Sequence, residues 1–120
     1  MATFDADTLR MLHDAREVRI RTKRHPATAV VIWIVTDGEE VFVRSVRAAQ
    51  GRWYRDLAAG GDATLETNGR QVPVRVTPAA DTVSIERASR AYLTKYHDSP
   101  YALPMVRDEV LPTTLRVEPC

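Results

Sequence analysis

The residues best equipped for chemistry lie between Arg44 and Leu57, a stretch reading R-S-V-R-A-A-Q-G-R-W-Y-R-D-L. Arginine offers a planar fork of donors that matches phosphate, serine adds a hydroxyl, and free amides at a helix start near Arg52 would add partial positive charge. Arg44, Ser45, Arg47 and Arg52, with Trp53 beside them, are therefore candidates to hold an anionic ligand. The opposing reading is a solvated loop whose arginines pair with Asp56 and Glu66 while Trp53 packs into the core.

A second cluster, K-Y-H-D-S-P-Y from Lys95 to Tyr101, brings Tyr96, His97 and Tyr101 together as candidates for contact with a planar small molecule. The reading favoured over it is a helix end in which Tyr92 and Tyr96 pack on the barrel and Pro100 terminates the helix. His13, His25 and His97 are far apart without metal-ligand spacing, and Cys120 is the one cysteine, so neither a metal site nor an intrachain disulfide is expected. No phosphate-binding glycine loop or nucleophile elbow is present, and no catalytic side chain is assigned.

Charge narrows the partners. Lys+Arg 17 nearly balances Asp+Glu 16, which argues against a general nucleic-acid or membrane-surface binder. The basic strand with Arg19, Arg21, Lys23 and Arg24 has Asp14, Glu39 and Glu40 near it in sequence and no interleaved aromatics for stacking on bases. The run from Ala27 to Val35, apolar apart from Thr28, is too short to span a bilayer, and no signal-peptide pattern opens the chain. The expectation is a single domain over residues 1–120 in the cytoplasm.

These residues need elements to position them. Asp5 or Asp7 can cap a helix to Asp14, Glu17 to Arg24 alternates as a half-exposed strand, and Ala29 to Thr36 is β-branched on both faces, predicting a central strand. Asp37-Gly38 turns the chain into a strand from Glu40 to Ser45, and a short helical turn from Trp53 to Ala58 stops at Gly60-Gly61. A hairpin about Asn68-Gly69 joins Ala63–Thr67 to Gln71–Thr77, where Pro73 predicts an edge or a bulge. A helix from Thr82 to Tyr96 capped by Asp81 and a strand from Thr113 to Val117 complete a mainly β, α+β fold: a six-stranded barrel with two or three flanking helices.

The order of elements and the words V-F-V-R-S and G-R-W-Y-R-D-L resemble the flavin-binding split-barrel superfamily, which includes the pyridoxamine phosphate oxidases and deazaflavin-dependent reductases. Within it the chain is similar to a small bacterial family of unknown function. The reductases typically carry Pro-x-Trp-Tyr-x-Asn-Leu; here Trp53, Tyr54 and Leu57 match, while Asp56 replaces the asparagine and Arg52 stands where the proline pattern is lost. The resemblance implies a split barrel of the FMN-binding type, with FMN or a deazaflavin coenzyme as cofactor. Arg44, Ser45, Arg47 and Arg52 would meet its phosphate, and Ile32 and Trp33 would lie near its ring. It also implies a homodimer, which would cover the second face of Ala29 to Thr36. The function so implied is an oxidoreductase acting on a small organic molecule; the alternatives are a cofactor-sequestering protein without turnover, or a dimer with a vestigial pocket.

Overall fold

The alternating and β-branched stretches pair into one antiparallel sheet in a computed structural model that describes residues 2–120. Its strands are β1 (Val18–Thr22), β2 (Val30–Ile32), β3 (Ile34–Asp37), β4 (Glu40–Val43), β5 (Gly61–Thr67), β6 (Arg70–Pro78) and β7 (Leu115–Pro119), in the order β2-β1-β5-β6-β7-β4-β3. Since β2 and β3 are consecutive in the chain yet occupy opposite ends of this order, the sheet rolls round into a nearly closed barrel. Helices α1 (Ala6–Asp14), α2 (Arg52–Leu57) and α3 (Thr82–Lys95) flank it. The fold is α+β and mainly antiparallel, as expected.

The expected central strand from Ala29 to Thr36 is instead two strands that meet at Trp33. Val18 pairs with Ile32 on one side of it, and Ile34 pairs with Val43 on the other. The first half is thus hydrogen-bonded to β1 and the second to β4, which makes this run the seam of the barrel. A β-branched run favours strand but carries no information on which neighbour takes which half.

Burial follows the same division. Ile34 and Val43 point into the barrel, whereas Val35 and Phe42 point outward onto a second core with Ala88, Tyr92 and Tyr96 of α3. The second cover of β3 is therefore α3 and not a partner subunit, contrary to the argument made from the sequence. On β2 the outward Val31 remains 51% exposed. Lys95 Nζ donates to the carbonyls of Leu12 and Ile34, at 3.2 and 2.7 Å, and fastens α3 to α1 and β3.

Local chemistry sets the boundaries. Asp5 and Asp81 accept from the amides of Thr8 and Ser84, capping α1 and α3. Asn68 and Gly69 both take positive φ, 51° and 72°, the geometry that closes a two-residue hairpin. β6 is not the edge strand that Pro73 predicts, for it lies between β5 and β7. The Pro73 carbonyl accepts from Cys120 N at 3.4 Å, beyond the last β6–β7 pair, Val74 with Pro119. The missing N–H faces the same side, where no β7 pairing is lost. No helix among the described residues is long and apolar enough to cross a membrane.

Candidate functional site

At the end of the β3–β4 ladder the two chains part. Beyond the pair Ile34 with Val43, β2 swings over to β1, while the segment from Arg44 runs through a 3-10 turn, Ala48–Gln50, into α2. The gap is a cleft of about 750 Å³, within the range of small-molecule sites. Val30, Val31, Ile32 and Trp33 line one wall, and Arg44 to Arg47 with Gln50 to Trp53 line the other. Arg55, Tyr101, Met105 and Glu17 complete the lining.

The structure brings Ile32, Trp33, Arg44, Ser45, Arg47, Arg52 and Trp53 to this one cleft, with Tyr101 at its edge. Tyr96 and His97 do not reach it. Tyr96 is buried behind Trp33, the two rings stacked with centroids 3.8 Å apart and planes 7° apart. Its hydroxyl donates to the Arg16 carbonyl at 2.7 Å, and burial pushes the phenol up to about 12. His97 is exposed at the end of α3, with Nδ1 3.0 Å from the Thr94 carbonyl. Tyr96 is the C-cap of α3 and its amide still bonds to the Tyr92 carbonyl, whereas His97 lies in the turn where the chain leaves the helix, which is why these neighbours part company.

The arginines divide into two kinds. Arg44 is 1% exposed; Nε donates to Thr114 Oγ1 at 2.8 Å, one terminal nitrogen to the Met105 carbonyl at 3.0 Å and the other to the Ile85 carbonyl at 2.9 Å. Its guanidinium lies 5.5 Å from the centre of the Tyr92 ring. Among the described residues no carboxylate lies within ion-pair distance of it, and burial pulls its pKa below the usual guanidinium value. Arg44 thus lines the cleft as a buried charge held by neutral acceptors rather than as a free fork. Arg47, Arg52 and Arg55 are exposed along the cleft, and none has a side-chain partner among the contacts of the described residues.

Ser45 also works from within. Its Oγ donates to the Ala48 carbonyl at 2.8 Å and its amide donates to Thr113 Oγ1 at 3.1 Å. These contacts hold Ala48 at φ 54°, a left-handed conformation that costs a non-glycine residue roughly 1–2 kcal/mol. Trp53, 8% exposed, packs into the barrel core while its edge lines the cleft.

Asp56 and Glu66, the acids that the sequence reading pairs with these arginines, are engaged elsewhere. Asp56 Oδ2 accepts from Thr22 Oγ1 and faces His25 Nδ1, both at 2.7 Å, and Glu66 pairs with Arg21 at 2.9 Å. Burial works to raise the Asp56 pKa, but the hydrogen bonds from Thr22 and His25, with the charges of His25 and Arg24, hold it below the usual carboxylate value. Glu17 is the one acid in the lining. Arg55 belongs to the same cationic stretch of the sequence, three residues from Arg52 on the same helical face. Glu17 and Met105 reach the cleft through strand register and chain folding, for which no local signal exists.

No curated protein matches the chain at a significant level. Its fold is similar to that of a conserved hypothetical protein, Rv2991 from Mycobacterium tuberculosis, with a TM-score of 0.62 and 12% identity over 98% of this chain and 79% of that one. That likeness concerns the fold alone. A family model matches residues 8–117, nearly the whole of the sheet and the cleft, and the chain accordingly belongs to the family described as uncharacterized protein conserved in bacteria (DUF2255).

Proposed function

We propose that this chain is a split barrel of the flavin-binding type whose cleft holds a flat, phosphorylated cofactor, FMN or a deazaflavin, and that it serves as an oxidoreductase on a small organic molecule. The observation that carries the reading is a cleft lined by the buried Arg44, which has no ion-pair partner among the described residues, and by Arg47, Arg52 and Arg55, exposed and without side-chain partners among the described residues. A buried charge without a counter-ion is costly, and an anion in the cleft would offset that cost.

The residues fit such a group in size and in chemistry. A cleft of about 750 Å³ accommodates a tricyclic ring with its chain. Val30, Ile32 and Trp33 offer an apolar wall that excludes water from one face of a ring, and the three exposed arginines offer charge-assisted donors to a phosphate. When bound, a flavin or deazaflavin carries the hydride, and the protein's part is to bind and orient it. No proton transfer is assigned to a side chain.

A cofactor carrier without turnover is the second reading, favoured by the commitment of Ser45 Oγ to the Ala48 carbonyl, which leaves that hydroxyl no role toward a substrate. Val31, Val46 and Tyr101 are exposed large apolar side chains that line the cleft, and a second copy of the chain covering them would make the homodimer. Titrating the protein with FMN and with a deazaflavin tests cofactor binding. Reduction of the bound cofactor and its reoxidation by an organic acceptor then separates the oxidoreductase from the carrier.

A further inference from the structure

We infer that the cleft is polarised along β1 and is built for a dipolar ligand: an anionic group at Arg52 and an ammonium or other strong N–H donor at Glu17. This deepens the proposed function and rests on its anion site.

The polarity follows from strand register. Val18 faces Ile32 across the β1–β2 ladder, so Glu17 stands opposite Trp33, where the barrel seam opens. At the other end of β1, Thr22 is bonded to Asp56 of α2, and Arg52 lies beside Thr22 and Val30. Glu17 and Thr22 are five residues apart, about 17 Å along a strand. Both ends belong to one cleft, since Glu17, Val30, Ile32 and Arg52 line it together.

Glu17 also has no ion-pair partner among the described residues. Arg16, next to it, pairs with Asp98 at 3.2 Å and lies 5.0 Å from the centre of the Tyr96 ring. Lys95 is held by the carbonyls of Leu12 and Ile34. Arg19 shares the outward face of β1 two residues along, yet no ion pair joins it to Glu17 among the described residues. A carboxylate is acceptor-only, so what it recruits from a ligand is a donor. Opposite charges at the two ends also reject ligands that are anionic throughout, a repulsive element of specificity.

Two aryl phosphates that differ only at the far end test this: 4-(2-aminoethyl)phenyl phosphate and 4-ethylphenyl phosphate, titrated near neutral pH, where the alkylamine keeps its proton. The readout is intrinsic fluorescence, because both tryptophans of the chain, Trp33 and Trp53, line the cleft. The amine-bearing probe is expected to bind about tenfold more tightly. That ratio should fall to about one in Glu17→Gln, while Arg52→Ala weakens both probes alike. Equal affinity of the two probes for the unaltered protein, or a ratio that survives Glu17→Gln, overturns the inference and leaves the anion site standing. Failure of both probes to bind overturns the anion site and this inference with it.

Discussion

Gly51 backs directly onto Ser45: a β-carbon added to the glycine would stand 2.5 Å from the serine Oγ. The glycine's φ of −64° is open to any residue, so it is space and not backbone freedom that this position demands. Gly51→Ala should displace the Ser45 hydroxyl from the Ala48 carbonyl and destabilise the protein by roughly 1–3 kcal/mol, the usual scale for overpacking. Adding Ser45→Ala removes the clashing atom, so the double variant should lose clearly less than the sum of the two singles. A denaturant-unfolding cycle measures this, and strict additivity would show that the two positions are not coupled.

Arg44 is expected to behave as a structural residue as well as a source of charge. Arg44→Ala takes the donors from Thr114, Met105 and Ile85 together and should cost at least about 3 kcal/mol in unfolding free energy. Arg44→Met restores apolar volume but leaves the two carbonyls unpaired, and should recover only part of the loss. Arg52→Ala, in contrast, should leave the unfolding midpoint within about 0.5 kcal/mol of its original stability.

How far these features could be read from sequence depends on how local their causes are. Asp5 and Asp81 as caps, the Asn68-Gly69 hairpin and the face of α3 with Ala88, Tyr92 and Tyr96 follow from chemistry within a few residues, and the structure has them. The break at Trp33 does not, because A-V-V-I-W-I-V-T reads as strand throughout and the change of partner is decided by β1 and β4. The crowding of arginines was legible, but the division of labour among them was not. Arg44 is buried by partners at positions 85, 105 and 114, far along the chain, whereas an arginine taken alone is expected at the surface. Pro73 misled because the rule against central prolines concerns a lost hydrogen bond, and here none is lost.

The pH dependence of stability should show the contact between α2 and β1. The folded pKa of Asp56 lies below its unfolded value, so the stabilisation from its ionised form is fully present above the ordinary carboxylate pKa, near 4, and is lost as pH falls through the lower, folded value. Asp56→Asn should therefore cost roughly 1–2 kcal/mol near neutral pH, the scale of hydrogen bonds to a charged group. The gap between the two proteins should close in acid. Thermal unfolding of both from pH 7 down to pH 2 measures it, and a gap that does not change with pH would refute this role.

If a second copy covers the cleft mouth, an acid placed there should prevent it. Val31→Glu puts a charge on an exposed apolar position of the seam and should shift sedimentation from dimer to monomer with little change in monomer stability. An unaltered protein that sediments as a monomer at high micromolar concentration would rule the dimer out.

The cofactor site is tested most directly by an FMN and deazaflavin titration of the unaltered protein alongside Arg47→Ala and Arg52→Ala, followed by tryptophan fluorescence. Saturable binding of at least one cofactor is expected, with a loss of about ten- to a hundredfold in its affinity for each variant at unchanged stability, the scale of a charge-assisted phosphate contact. Binding that is indifferent to both arginines, or no binding of either cofactor at micromolar concentrations, would contradict it.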